Sequence, residues 1–411
     1  MRLFKKHTPL PDIKAVSEAD IWRELYENGG KLKLASSVSK EIARLVTLEM
    51  KGRIAGSKRA EELNMPFSEL IKKAKGFTEI AAALGGVMLK PYVKNGKICT
   101  AILPQDSFSV TKTGTDGELK AVKFFERAEK NGKKYIKCEH HIMLDSGYII
   151  ANSAYLDTGM FEREVPLSEI PEWEDIEKEV YLKNVYSPLF AYFGMPFKSP
   201  KNINSPLGAS VYSRAVELID DANRQYERLL WEFESGERAL YVDETSVRKD
   251  SLGNPVFPNK KLYRMLNTGK DELFEDWTPE IRDKAIINGL DKILRRIEFN
   301  TGLAYGTLSD IETVEKTAEE IRASKQRSYA TVTEIQESLK KALSEWVRAA
   351  DILSDLYELS PEGKIDTSFE FDDSIIADRN REFEERMSLL EKGVITADEM
   401  RKWYLGEGGK I

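Results

Sequence analysis

The sequence predicts an α+β protein, with short strands in its first half and helices longer than a compact monomer ordinarily needs in its second. Two observations carry this. Between residues 87 and 151, short β-rich segments alternate with Asn95-Gly96, Asp116-Gly117, Asn131-Gly132 and Ser146-Gly147. Asn-Gly and Asp-Gly accept the positive φ that tight hairpins require. After residue 206 the apolar period changes from two to three-four and is sustained over long stretches.

Ser37 reads as the N-cap of a helix whose apolar face is Val38, Ile42, Leu45, Val46 and Met50. A second helix is expected from Pro66 to Leu84, stopped at Gly85-Gly86. Segments 87–93, 97–103, 107–112, 119–126, 134–139 and 147–151 then form one antiparallel meander. Residues 184–208, rich in proline and aromatics, read either as a surface loop pinned by its own rings or as an arm wrapping a neighbouring subunit.

From Pro206, the spacing of Val211, Ala215, Leu218, Ala222, Leu229 and Phe233 marks a helix to Ser235, ended by Gly236. At ~1.5 Å per residue it would span ~45 Å. Residues 237–278 form a small β insert, with a strand at GERALYVDE, a turn at Leu252-Gly253-Asn254-Pro255 and a second piece at KKLYRML. Thr278 as N-cap and Pro279 at the first helical position open another helix to Asn300. Its apolar face is Ile281, Ala285, Ile286, Ile293, Leu294 and Ile297, with Gly289 as a point of bending.

A glycine-containing loop, 302–312, precedes the longest helix, from about Thr313 to Leu359. Its seam of Val314, Ala318, Ile321, Val332, Ile335, Leu339, Ala342, Trp346, Ala349, Leu353 and Leu356 is interrupted at Lys325 and Ser328, where a kink is expected. A strand at DTSFEFD and two short charged helices, 378–391 and 396–404, complete the chain.

With 41% apolar and 32% charged residues the chain is not disordered wholesale. A formal charge of −7 gives no bulk field that would draw it to nucleic acid. Any such partner must be held by geometry or met at local patches. Two cysteines, Cys99 and Cys138, make no disulfide scaffold. The longest apolar run, around Ile80 to Leu89, is about half a membrane span. The basic N-terminus lacks the apolar run of a signal peptide, so the chain reads as soluble, with no membrane partner.

The search for chemistry returns little. Strand alternation puts Cys138 and His140 on one face and His141 on the other, which prevents one ion from using all three. Thr268-Gly269-Lys270 and Gly408-Gly409-Lys410 lack the flanking residues of a phosphate loop. Neither a GxSxG elbow nor an HExxH helix is present. Glu118 and Lys120, with Asp116, have nuclease-like spacing, but they sit in a hairpin turn where charge is expected anyway. No catalytic, metal-ligating or cofactor-binding residue is assigned, and the chain reads as a non-enzyme.

Two long segments, NINSPLGASVYSRAVELIDDANRQYERLLWEFESG and TGLAYGTLSDIETVEKTAEEIRASKQRSYATVTEIQESLKKAL, together with DSGYIIANSAYL and EVPLSEIPEW, carry a family resemblance. Over nearly its whole length the chain resembles the portal proteins of long-tailed bacteriophages, particularly those of Gram-positive hosts. That resemblance implies the phage portal fold. Residues 1–205 correspond to a mixed α/β wing, 206–236 and 279–301 to two stem helices, and 237–278 to a small β clip between them. Residues 302–314 correspond to a tunnel loop, 315–359 to a long kinked helix, and 360–411 to a wing strand and a reduced helical crown.

The function so implied is that of a homo-oligomeric ring, typically a dodecamer, at one capsid vertex of the virion. It would conduct double-stranded DNA during packaging and ejection, after assembly in the host cytoplasm. Its partners would be the terminase large subunit, the head-tail adaptor, and the major capsid and scaffold proteins. Ser309, Asp310, Glu312 and Thr313 are the candidate tunnel-loop residues, and Arg248, Lys249, Lys260 and Lys261 the candidate clip contacts. The competing readings are a non-catalytic helical adaptor or scaffold of the virion head, and a packaging nuclease or ATPase. The last lacks the carboxylate cluster or phosphate loop it would need.

Overall fold

The structure, a computed structural model, describes residues 18–115, 117–158, 162–236, 239–243, 248–252, 256, 263–266, 274–277, 280–310, 318–371 and 379–405. It is mixed α+β. The chain opens with helices α1 (Glu18–Asn28) and α2 (Leu34–Val46), strand β1 (Lys51–Ala55), and helices α3 (Lys58–Lys72) and α4 (Ala74–Leu84). Strands β2 (Gly86–Lys94), β3 (Lys97–Pro104), β4 (Phe108–Thr113), β5 (Leu119–Lys130), β6 (Lys133–Leu144), β7 (Gly147–Asp157), β8 (Glu162–Val165), β9 (Glu179–Lys183) and β10 (Ala191–Gly194) follow. Helix α5 (Val216–Ser235) leads to β11 (Ala239–Asp243), β12 (Tyr263–Leu266) and β13 (Phe274–Trp277), and helix α6 (Asp283–Thr301) returns. The chain ends with α7 (Ala318–Leu356), β14 (Asp366–Glu370), α8 (Arg379–Glu391) and α9 (Ala397–Leu405).

The hairpins form where the turn pairs predict. Asn95-Gly96 and Asn131-Gly132 both have two successive positive φ values (53° and 69°; 54° and 70°), as two-residue turns require. The expected single meander is instead two sheets. A short 3₁₀ turn at Gln105–Ser107 redirects the chain between β3 and β4. One sheet has the order β10-β2-β3; the other is β4-β5-β6-β7-β8, with β9 also pairing β7. Residues 184–208 are not an arm. They contribute β10, and Leu189, Phe190, Phe193 and Met195 are buried, so these aromatics belong to the core of their own chain.

Other boundaries shift for local reasons. Helix α2 begins at Leu34, ahead of Ser37, because burial of Leu34 and Ala35 extends it back to a left-handed Lys33. The single helix expected from Pro66 to Leu84 is two: α3, which begins at a Ser57 cap whose Oγ accepts from the Ala60 N–H at 3.3 Å and has Pro66 inside it, and α4, divided from it at Lys73. Helix α5 starts at Val216, ten residues after Pro206. The intervening backbone is used in tertiary pairing: Ala209 N–H donates to Phe197 O and Val211 N–H to Ala82 O. A Cβ on Gly208 would sit 2.5 Å from Gly85 O, so only glycine allows this approach. Helix α6 starts at Asp283, and the predicted cap, Thr278 and Pro279, lies outside the described residues. Helix α7 is continuous through Lys325 and Ser328, the polar positions that interrupt its apolar seam.

The main core lies where α2, α3, α4, β2 and β10 meet α7 and the inner ends of α5 and α6. Val332, Ile335, Leu339, Ala342 and Trp346 form the seam of α7 as predicted, each at most 1% exposed. Trp346 stacks on Phe67 at 5.8 Å and donates its indole N–H to Thr100 Oγ1 at 3.0 Å. It thus joins α7 to α3 and β3. The DTSFEFD strand closes the core as expected, β14 pairing antiparallel with β1. Buried Arg59 on α3 binds Asp351 (3.0 Å) and Asp355 (2.6 Å) of α7.

Prediction: Trp346→Ala removes this junction and destabilises the fold by about 3–5 kcal/mol, read as a lowered denaturant midpoint with an unchanged slope.

Candidate functional site

Helices α5 and α6 leave the core together and carry the small sheet β12-β11-β13 between their far ends. Their 20 and 19 residues give rods of about 30 Å. At the inner end Ile219, Ala222 and Ile297 are fully buried, and Asn300 Nδ2 donates to Arg214 O at 2.9 Å. In the middle Gln225 Nε2 donates to Ile286 O, beside Gly289. At the outer end Glu232 receives the Arg282 backbone N–H (3.0 Å), its Nε (3.0 Å) and its Nη2 (2.8 Å). These bonds hold the Glu232 carboxyl down to about 2. Toward that end the rods run out of cover: Trp231 is 61% exposed, Phe233 46%, Ile281 41% and Ile287 42%.

The α6–α7 junction is built around a buried carboxylate. Gly302, at φ 76°, ends α6 in the left-handed conformation, and a Cβ there would meet Thr331 Oγ1 at 2.5 Å. Residues 303–310 then curl over the helix end. Glu298, with no solvent exposure, accepts through Oε1 from the backbone N–H groups of Gly306 (3.0 Å), Leu308 (2.6 Å) and Ser309 (2.9 Å), and through Oε2 from Ser309 Oγ (2.9 Å). One turn-pair earlier, Asp291 Oδ1 accepts from Asp310 N–H at 2.8 Å, while its Oδ2 pairs with Arg295 Nε at 2.8 Å. Arg327 of α7 lies between the rings of Phe299 (4.8 Å) and Tyr305 (4.7 Å), and Arg296 lies on Phe299 at 5.1 Å. Cation–ring contacts therefore pin the loop to the polar stretch of α7 that sequence reading took for an interruption.

Of the tunnel-loop candidates, Ser309 is buried with its hydroxyl engaged by Glu298, and Asp310 is exposed at the loop's end. Glu312 and Thr313 lie outside the described residues. Of the clip candidates, Arg248 and Lys249 are exposed, beside Leu252 at 84% and Val256 at 54% exposure, while Lys260 and Lys261 lie outside the described residues. Glu298, Asp291, Glu232 and Arg327 were missed in the sequence. Asp291 and Glu298 were readable as a signal: a seven-residue spacing puts both on one helical face, just before a loop of small residues with spare N–H groups.

His140 and His141 lie on β6, and His7 is outside the described residues. His141 is buried, with Nε2 2.6 Å from Glu139 Oε1 and Nδ1 2.9 Å from the Tyr148 hydroxyl; Glu139 also meets Lys90 Nζ at 2.7 Å. Burial above all, then Lys123 and His141, lowers His140 to about 4. Among the described residues no group of three His, Cys, Asp or Glu side chains is placed to hold a metal ion. No described helix is long and apolar enough to cross a membrane.

A family model described as "Phage portal protein, SPP1 Gp6-like" matches residues 72–406. The chain belongs to this family of phage portal proteins. A comparison with curated proteins found no match. The match runs from the end of α3 to the end of α9, so both sheets, the paired rods with their insert, and the α6–α7 junction all belong to the portal region. The family is structural rather than enzymatic.

Two predictions follow from the site. Glu298→Ala removes the carboxylate acceptor of the Leu308 and Ser309 N–H groups and of the Ser309 hydroxyl, and leaves Gly306 N–H only its 3.2 Å bond to Ser309 Oγ; it should cost roughly 3 kcal/mol or more, and limited proteolysis should then cut within 302–310, where the parent resists. For the outer tie, Glu232 has a depressed pKa, so its contribution is present above about 4.5 and fades as pH falls toward about 2. In Glu232→Gln the stability lost over that pH window should be smaller than in the parent.

Proposed function

We propose that this portal protein assembles into a ring, a dodecamer, at one capsid vertex and conducts double-stranded DNA in packaging and ejection. In this reading α5 and α6 are the stem and β11, β12 and β13 the core of the clip. Residues 302–314 lean into the tunnel behind α7, the two sheets belong to the wing, and α8 and α9 form a short crown. The clip, with Arg248, Lys249, Lys260 and Lys261, faces the terminase large subunit during packaging and the head-tail adaptor afterwards. The wing and crown meet the major capsid and scaffold proteins.

The observation that carries the reading is the uncovered apolar surface on the outer half of the rods. Two helices packed only on each other cannot bury Trp231, Phe233, Ile281 and Ile287, whose exposure ranges from 41% to 61%. Identical rods set side by side in a closed ring bury them without any additional element. The charge agrees with a conduit: twelve copies at −7 each sum to about −84, and a channel that does not hold phosphates lets DNA slide.

The test is negative-stain imaging of assembled heads, with light scattering of the purified protein. Parent protein should give rings with a central hole. Trp231→Glu combined with Ile287→Glu should abolish them while leaving the far-ultraviolet circular dichroism unchanged. Rings that survive this double substitution would remove the stem reading; a mass of one or two subunits, with no ring on any head, would favour the helical adaptor.

A further inference from the structure

The inner halves of the rods carry opposite charge on different flanks. On one flank a groove runs between α1 and α5, formed by two adjoining hollows of about 450 and 750 Å³ that share Ile21 and Val216 in their walls. Half-buried Leu25 and Leu218 extend this apolar lining. The rim is acidic: seven carboxylates and three basic side chains line the two hollows, a net formal charge of −4. Some of these are engaged locally, since Arg224 pairs with Asp221 and Glu18 accepts from Ser199 Oγ at 2.7 Å. Glu24, Glu217, Asp220 and Glu227 are exposed along the rim.

The other feature is a basic ridge on α6. Lys292, Arg296 and Phe299, four and three residues apart, share one exposed helical face. The Phe299 ring is 45% exposed and carries two guanidinium groups, Arg296 at 5.1 Å and Arg327 at 4.8 Å. Among the described residues Arg327 meets rings rather than a carboxylate, and its buried Nε and Nη2 have no hydrogen-bond partner. Lys325, two residues before it on α7, is exposed. Two guanidinium groups drawn onto one ring repel each other, so carboxylates laid beside the ridge stabilise it. An apolar, acidic groove and an aromatic, basic ridge are complementary in both respects.

On each chain the two lie on different faces but at one level along the rods. Gln225 and Glu232 face α6, and at ~100° per residue Asp220 and Glu227 fall on the opposite side of α5. The bonds from Asn300 to Arg214 and from Gln225 to Ile286 set α5 residues 214–225 beside α6 residues 286–300. By that register Lys292 stands level with Asp220, Arg296 with Glu217, and Phe299 close to Val216. Rotation about an axis parallel to the rods leaves every residue at its own height. The ridge of one chain is thus brought level with the groove of the next. Two different patches that fit each other make a head-to-tail contact, which repeats around a ring and is not satisfied in a two-fold pair.

We propose that the α6 ridge of one copy docks in the α1–α5 groove of the next, an inference that rests on the ring reading and names two surfaces that close the ring. Phe299 packs on Ile21 and Val216, Arg296 meets Glu217, and Lys292 meets Asp220. Exposed ion pairs hold little by themselves. Here they fix register and sign around an aromatic anchor, which supplies the buried apolar area. With its arginines met by a neighbour's carboxylates, the ridge presents no bare cations to a third partner.

The test is charge reversal on each side of the contact, with rings counted by negative-stain imaging of assembled heads. Lys292→Glu with Arg296→Glu reverses the ridge; Glu217→Lys with Asp220→Lys reverses the groove. Each variant alone should lose rings several-fold with its circular dichroism unchanged. Co-expression of the two should restore them, because each ridge then finds a groove of opposite sign on the other variant. A variant that merely misfolds is not rescued in this way. In parent rings, zero-length carbodiimide cross-linking should join Lys292 to Asp220 in a species that migrates as two chains on denaturing electrophoresis. Undiminished rings from either variant alone, or no recovery on co-expression, would overturn this contact and leave the ring reading standing. Normal rings with several-fold less packaged DNA in the ridge-reversed variant would assign the ridge to phosphates instead, which also overturns it. A parent chain that makes no ring fails the ring reading, and this contact with it.

Discussion

The constraint from which the rest follows is that a pair of helices has only one face each to give the other. A helix with a broad apolar stripe needs cover on more than one side. Where α5 and α6 join the core, α7 and the β10-β2-β3 layer supply it, and Ile219, Ala222 and Ile297 are sealed. Farther out nothing in the described chain does, and Trp231 and Ile287 face solvent. Membership in a portal family makes identical neighbours the simplest source of that cover.

The two ends of the rods are fixed by different means. At the outer end, a forked Arg282–Glu232 pair ties the end of α5 to the residue before α6, holding the entry and exit of the β insert together. Planar guanidinium and carboxylate groups give such a pair directional as well as electrostatic strength. At the inner end the tie is a buried carboxylate, Glu298, surrounded by main-chain donors. The first resists splaying of the rods; the second fixes where the chain leaves α6 for α7. Between them, the insert and the junction loop are held at opposite ends of the same pair of helices.

Much of the architecture was legible because local rules decided it. Asn-Gly turns dictate positive φ and therefore hairpins, and the α7 seam of Val332, Ile335, Leu339 and Trp346 could pack only one way. What was misread was decided at long range. That β3 and β4 part into separate sheets depends on the 3₁₀ turn at Gln105–Ser107, which carries no strong turn signature. Residues 206–215 have helical spacing, but their N–H groups bond to Phe197 and Ala82, and tertiary pairing overrides local period. The aromatics of 184–208 left a self-pinned loop and an arm both open, because an apolar run does not say whose core it enters. Lys325 and Ser328 read as an interruption of the seam, although Arg327, between them, is where α7 grips Phe299 and Tyr305.

The junction also bears on how a channel can avoid holding its cargo. Successive backbone N–H groups in a tight loop form a concavity that binds anions, phosphate among them. Gly306, Leu308 and Ser309 present such a set, and it is already filled by Glu298 from within the chain. Asp310 N–H is likewise taken by Asp291. In the proposed conduit, these four N–H groups, taken internally and followed by an exposed carboxylate at Asp310, are not offered to a passing phosphate. In a conduit reading, the carboxylates that stabilise the loop also keep it from gripping DNA, and stability and low friction come from the same two side chains.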